Sequence, residues 1–218
     1  MEELIVQLHS FFNSSTSYRV RIALALKGIA YETLPVNIRT SEHRAVGYVA
    51  SVNPSALVPT LIDRDFRLGQ SLAIIDYLDR QYPEQRLIPL EPNLRARVLE
   101  FSLLIACEIH PVNNLRILRY LETELKVTPQ QKTTWYRHWI AEGMGSAERL
   151  LERSDEGPWC FGAQPTLADV CLVPQIANAL RMECDLRAYP RALDVYEHAS
   201  KHAAFEAAQP LYQPDYSA

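Results

Sequence analysis

The sequence changes character at one place, and that change divides the chain. Up to about residue 82, short apolar runs of strand length alternate with helical spacings. Between Pro83 and Pro92 stand three prolines, at 83, 89 and 92, a density that suits a linker rather than a helix interior or an inner strand. Beyond it, no strand pattern of comparable length occurs. Long amphipathic segments run from about Leu94 to Tyr120, Pro129 to Leu151, Leu167 to Leu180 and Pro190 to Ala199. We therefore expect a mixed α/β domain over residues 1–83, a linker over 84–92 and an all-helical domain over 93–218. The 218 residues are enough to bury two cores.

In the first part the expected order is strand, helix, strand, helix, strand, strand, helix. Leu4 to Leu8 is the first strand. The polar segment Asn13-Ser14-Ser15-Thr16-Ser17 then leads into the apolar run Val20 to Leu26, broken only by Arg21. Hydroxyls before such a run are N-cap signals, because they accept the unpaired amides of the first turn. Gly28 suits the C-terminal stop, since it tolerates positive φ. The run is apolar on nearly all sides, which predicts a buried helix. Tyr31 to Val36 reads as the second strand, and Ser41 to Val49 as an irregular polar helix. Asn53 to Pro59 is a loop entering a third strand at Thr60, and Phe66 to Leu68 pairs with that strand as a hairpin across Asp63-Arg64-Asp65. Gln70-Ser71 opens another helix, with Leu72, Ile75 and Leu78 at helical spacing. In the second part, Thr166-Leu167-Ala168-Asp169 fits the capping-box pattern.

Composition excludes several classes of function. Acidic and basic residues interleave, the formal net charge is -4, and no concentrated basic surface suggests nucleic acid. The longest apolar runs, such as Ile22 to Leu26, are too short to span a bilayer. Cys107, Cys160, Cys171 and Cys184 form no C-x-x-C pair, and no apolar secretory stretch opens the sequence. They read as buried thiols in a reducing compartment, those of a soluble cytoplasmic protein. His198 and His202 stand four apart but lack a third ligand, so no metal site is expected.

Three places could carry chemistry. The start of the first helix combines free amides, a positive dipole end and several hydroxyls, which together favour an anion. A thiolate is such an anion, but no cysteine stands there, so the thiol would come from a ligand; an ordinary capped helix fits the same residues. Val58-Pro59 lies directly before a strand, where a cis peptide would turn the preceding backbone toward an extended ligand. Gln70-Ser71 repeats the helix-terminus pattern in a form suited to a carboxylate.

These residues carry a family resemblance. Ser14-Ser15-Thr16-Ser17-Tyr18-Arg19-Val20-Arg21-Ile22-Ala23-Leu24 resembles the signature S-S-C-x-W-R-V-R-I-A-L of zeta-class glutathione transferases, the class of maleylacetoacetate and maleylpyruvate isomerases. The resemblance continues in order through Val58-Pro59-Thr60-Leu61, Gln70-Ser71-Leu72-Ala73-Ile74-Ile75, His110-Pro111-Val112-Asn113-Asn114-Leu115 and Leu167 to Gln175. Asn178 to Arg181, Asp185-Leu186 and Tyr189-Pro190 complete it, so it spans almost the whole chain.

The resemblance implies a glutathione transferase fold: a thioredoxin-like α/β N-terminal domain followed by an all-α bundle, usually assembled as a homodimer. It implies glutathione as cofactor, with Ser14 holding the sulfur as thiolate and Ser15 and Thr16 lining the same turn. The backbone of Val58, through a cis Pro59, would meet the cysteinyl part, and Gln70 and Ser71 the γ-glutamyl group. His43 or Arg44 would reach the glycine carboxylate. His110, Asn114 and Arg116 would face the site from the helical domain, and Arg181 would meet an acidic substrate. Two positions depart from the family. Thr16 replaces a cysteine while keeping a hydroxyl, and Asn13 stands where many members carry arginine. The implied activity is cis-trans isomerisation of maleylacetoacetate or maleylpyruvate, in the catabolism of tyrosine and other aromatic compounds, with glutathione returned unchanged. The alternative is a transferase that conjugates or dehalogenates small electrophilic acids. A binding module that merely keeps the fold would need none of the Ser14, Pro59 and Gln70-Ser71 set.

Overall fold

A computed structural model describes residues 6–154 and 157–217. Leu4 and Ile5, the front of the expected first strand, lie outside the described residues. Strands β1 (Val6–Ser10), β2 (Tyr31–Pro35), β3 (Thr60–Asp63) and β4 (Phe66–Gly69) form one sheet in the order β2-β1-β3-β4. β1 and β2 are parallel, with Leu8 opposite Thr33, whereas β3 is antiparallel to both β1 and β4, with Leu61 opposite Leu8 and Leu68. A parallel pair needs a crossover, and helix α1 (Ser15–Leu26) supplies it. The expected irregular helix resolves into a 3-10 turn, Glu42–Arg44, and a short α2 (Val46–Ser51). Helix α3 (Ser71–Gln81) starts where Gln70-Ser71 predicted.

The core of this unit joins sheet and helices through Leu8, Val20, Leu24, Leu61, Ile74 and Leu78. Each such side chain contributes about 1.5–3 kcal/mol by leaving water. Helix α1 is buried on nearly every side because α3 and a C-terminal helix, α9 (Ala203–Ala207), pack against it as well as the sheet. Its burial includes Arg19 and Arg21, which are 1% and 0% exposed.

The helical unit holds α4 (Pro92–Leu103), α5 (Leu115–Thr123), α6 (Pro129–Glu152), α7 (Leu167–Arg181) and α8 (Pro190–Ser200). The single helix expected over Leu94 to Tyr120 is interrupted. After α4 comes a π-helical segment, Leu104–Ile109, then a 3-10 turn, Pro111–Asn113, before α5 begins. Pro111 has no N–H to continue the ladder, so the chain turns there and restarts on a new cap, Asn114. The π segment packs closely on α6: a methyl added at Gly143 would stand 2.3 Å from Ile109 Cγ1. The capping box of α7 forms as expected. Buried Asp169 accepts from the Thr166 amide at 2.7 Å and from the Cys160 amide at 2.7 Å. Burial pushes its carboxyl up, and these hydrogen bonds oppose the shift.

The chain forms two compact units, Met1–Leu87 with Ser200–Ala218, and Ile88–Ala199. The expected assignment of everything after residue 93 to the helical domain differs from this. The segment after α8 returns to the first unit, where Phe205 is fully buried and the Ala208 carbonyl accepts from Arg21 Nε at 3.0 Å. His198 and His202 do not share a helix. His198 lies on α8 with its ring 4.7 Å from that of Trp159, while His202 caps α9 by accepting from the Ala204 amide at 3.2 Å. No described helix is long and apolar enough to cross a membrane.

Candidate active site

Ser14 is the N-cap of α1, in extended conformation, and its Oγ accepts from the Ser17 amide at 3.2 Å. Two residues on, Thr16 Oγ1 lies 2.9 Å from Ser14 Oγ and donates to the Val58 carbonyl at 3.1 Å. A hydroxyl carries one hydrogen and a carbonyl can only accept. With the Thr16 hydrogen on Val58, the Ser14 hydrogen points to Thr16. Ser14 therefore holds a hydrogen that it can turn toward an incoming anion at the positive end of α1. Ser15, the first residue of α1, is buried, and Asn13 is half-buried just before the cap.

Val58 is positioned by its loop. The Val58-Pro59 peptide is cis, as the resemblance implied. Buried Asn53 donates to the Leu57 carbonyl at 3.1 Å and to Thr60 Oγ1 at 2.9 Å, and the Tyr48 hydroxyl donates to the same Leu57 carbonyl at 2.8 Å. The loop thus has few ways to move while it presents Val58.

Gln70 precedes α3 with φ of 67° and ψ of 111°. Left-handed φ is uncommon for a glutamine, and such outliers cluster at ligand clamps. Gln70 is exposed, whereas Ser71 beside it is buried. Arg19 Nη1 donates to Ser71 Oγ at 3.4 Å. A buried guanidinium thus stands behind the N-terminus of α3, adding charge to a place that already favours an anion. Neither Arg19 nor Arg21 is among the site residues that the resemblance implies. The signal was there: an arginine in a helix with no solvent face must be satisfied inside.

The structure thus links Ser14, Thr16 and Val58 in one hydrogen-bonded chain and couples Ser71 to Arg19. His43 is buried in its 3-10 turn, and Arg44 next to it is exposed. No cysteine occurs in residues 1–87 or 200–218. A thiolate at the start of α1 must therefore be brought by a ligand.

The remaining expected residues belong to the helical unit, described by itself. His110 follows the π segment, with Nε2 3.3 Å from Asn114 Nδ2. Asn114 caps α5 by accepting from the amide of Arg116, whose side chain is exposed. Helix α6 clasps this turn: Asn113 Nδ2 donates to the Tyr136 carbonyl at 3.1 Å, and Trp135 Nε1 to the Val112 carbonyl at 3.0 Å. Arg181 ends α7, exposed, donating to Asn178 Oδ1 at 2.8 Å. Burial pushes the Tyr136 phenol up to about 12, with the nearby Arg181 charge opposing and Cys184 reinforcing the shift.

Comparison with known proteins identifies the family of the chain. Residues 5–80 match the family described as glutathione S-transferase, N-terminal domain. A probable maleylacetoacetate isomerase of Vibrio cholerae is 44% identical over 211 residues, covering 95% of this chain and 97% of the relative. The holo structure of a maleylpyruvate isomerase, a bacterial glutathione S-transferase of the zeta class, matches with a TM-score of 0.94 at 40% identity, over 97% of this chain and 100% of that one. A maleylacetoacetate isomerase from Methylobacterium extorquens AM1, with bound malonate and glutathione, matches with a TM-score of 0.93 at 31% identity, over 97% and 100% of the two chains.

Proposed function

The chain belongs to the zeta-class glutathione transferase and maleylacetoacetate isomerase family, and on that footing we propose that it is a glutathione-dependent cis-trans isomerase of maleylacetoacetate or maleylpyruvate. The observation that carries this reading is the Ser14–Thr16–Val58 hydrogen-bond chain at the start of α1, in a unit without a cysteine. A turnable hydroxyl, free amides and a positive helix end suit a ligand thiolate; the Ser71–Arg19 pair suits a carboxylate of the same ligand. Glutathione offers both groups and, when bound, supplies the sulfur nucleophile that makes the substrate double bond rotatable and then leaves unchanged.

The chain's own residues bind, orient and stabilise charge. Ser14 turns its hydrogen from Thr16 to the sulfur and keeps it anionic, since a thiol near pKa ~8.5 falls to roughly 3.5–7.5 in such surroundings. Ser15 and Thr16 line the turn. Val58, next to Pro59, offers backbone groups to the cysteinyl part, and Gln70 and Ser71 hold the γ-glutamyl end. His43 or Arg44 serves the glycine end. His110, Asn114 and Arg116 contribute from the helical domain. Asn13 and Arg181 meet the acidic substrate, and a guanidinium fits a carboxylate in a planar, two-pronged way. We read the enzyme as a homodimer, the assembly that the family resemblance implies. We place it in the cytoplasm, a reading that its four free cysteines support.

The test is the rate of trans-product formation from each keto acid, with sub-stoichiometric glutathione and with none. A rate that needs glutathione, and persists when it is scarcer than substrate, supports the reading. An equal rate without glutathione overturns it.

A further inference from the structure

The turn that carries Asn13 and Ser14 is held from both sides by groups outside the site. Its amide side meets the C-terminal segment, where Asp215 Oδ2 accepts from the Phe12 amide at 2.8 Å. Its carbonyl side meets buried Arg21, whose Nη1 donates to the Phe11 carbonyl at 3.3 Å and Nη2 to the Phe12 carbonyl at 3.0 Å. The same guanidinium donates through Nε to the Ala208 carbonyl at 3.0 Å, so it binds the turn and the C-terminal segment together. Tyr216 completes the clasp, its ring edge-on to Phe12 with centroids 5.4 Å apart. Within the turn, the Ser14 amide donates to the Phe11 carbonyl at 3.0 Å. A shift of Phe12 is therefore passed directly to Ser14.

The chemistry of this clasp is costly if packing is its only purpose. Arg21 donates to three carbonyls and to the Ser10 hydroxyl, all neutral groups. Asp215 is the carboxylate whose charge acts on it. Asp215 itself has one oxygen on Phe12 and the other, Oδ1, buried without a hydrogen-bond partner. A half-buried carboxylate with one inaccessible oxygen left unpaired stabilises a fold poorly. It does fix one amide, and that amide lies two residues before the serine cap of α1.

We propose that Asp215 is a positioning residue of the active site: by holding the Phe12 amide it sets where the Ser14 hydroxyl stands at the start of α1. This rests on the reading of Ser14 as the group that holds the glutathione sulfur. Asp215 touches no reacting atom; it acts through Phe12 and Ser14. The C-terminal segment is thus a working part of the thiolate site, and its register on the turn tunes the acidity of the bound thiol.

The test uses the full chain and the variants Asp215→Ala and Asp215→Asn. Three readouts are taken: the acidity of bound glutathione, from thiolate ultraviolet absorbance against pH; kcat on the keto acid; and the thermal midpoint. Asparagine keeps an oxygen acceptor for the Phe12 amide, and alanine removes it. The expected result is about tenfold higher proton affinity of the bound thiol and a matching fall in kcat for Asp215→Ala, with Asp215→Asn within about threefold of wild type. Two results would overturn the proposal. One is a lower thermal midpoint for Asp215→Ala with unchanged thiol acidity and kcat, which marks a purely structural residue. The other is Asp215→Asn as impaired in thiol acidity as Asp215→Ala. Failure of the underlying reading looks different: wild type itself would not lower the pKa of the glutathione thiol.

Discussion

Ser14 and Thr16 share a hydrogen bond, 2.9 Å between their oxygens, whose direction is decided by a third residue. Thr16 gives its hydrogen to the Val58 carbonyl at 3.1 Å, so the bond runs from Ser14 to Thr16. The two hydroxyls are therefore unequal, although both line one turn. Thr16 is the resting place of the Ser14 hydrogen, and Ser14 is its owner.

The inequality predicts unequal mutants. Ser14→Ala removes a charge-assisted hydrogen bond to the sulfur, about 1.5–3 kcal/mol, and should lower kcat/KM by roughly 10- to 150-fold. Thr16→Ala removes the resting acceptor and the bond to the Val58 carbonyl but leaves the Ser14 hydroxyl in place, and should stay within about fivefold of wild type. Steady-state kinetics decides. Similar losses for both, or a worse loss for Ser15→Ala, would mean that another hydroxyl holds the sulfur.

Arg19 predicts a selective binding defect. Its guanidinium backs Ser71 at 3.4 Å, at the place assigned to the γ-glutamyl end. Arg19→Met keeps much of the volume and removes the charge. Affinity for glutathione should fall about tenfold, or ~1.4 kcal/mol. Affinity for cysteinylglycine, which lacks the γ-glutamyl group, should hardly change. Equal losses for the two ligands in calorimetric titrations would assign Arg19 to the fold alone.

Much of this site was legible in the sequence, and the exceptions share a cause. The cap at Ser14, the stop at Gly28 and the capping box at Thr166 are local signals, written in neighbouring residues, and the elements begin where those signals stand. The break at Pro111 was hidden because the apolar period of Leu94 to Tyr120 runs on across it. The strained backbone of Gln70 has no marker in a glutamine, since its φ is imposed by the β4–α3 junction. Arg21 was visible as a charge in an apolar run. Its acceptors are backbone carbonyls of Phe11, Phe12 and Ala208, which no side-chain pattern announces. The return of the chain after Ser200 rests on one of these, the Ala208 carbonyl, and on buried Phe205, neither of which local spacing announces.

Arg181 should carry much of the substrate's carboxylate, because Asn13 stands where, by the resemblance, many members of the family carry arginine. Lysine offers a point charge without the planar fork. Arg181→Lys should raise the keto-acid KM about tenfold and leave glutathione affinity near wild type, while Asn13→Arg should lower that KM. If neither change moves it, the carboxylate anchor is elsewhere and the substrate class must be reopened.

Tyr136 makes a prediction at alkaline pH. Burial, opposed by Arg181 and reinforced by Cys184, pushes its phenol up to about 12 from an ordinary value of 10.0. A raised folded-state value means stability that is complete below the unfolded value and lost as pH climbs through the folded one. Between pH ~10 and ~12 wild type should lose up to roughly 2–3 kcal/mol through this group. Tyr136→Phe has no proton to retain, so its denaturant midpoint should fall less steeply across the same window. Parallel slopes for the two proteins would place the alkaline loss in other groups.

The most direct test of the central claim is a count of free thiol across many turnovers. Substrate is supplied in large excess over glutathione, the trans acid is followed to completion, and free thiol is titrated before and after. The account predicts full conversion with the thiol count unchanged, because the site holds the sulfur as an anion and releases it. Conversion that stops when glutathione runs out, with one thiol lost per product formed, would contradict the account and make the protein a conjugating transferase.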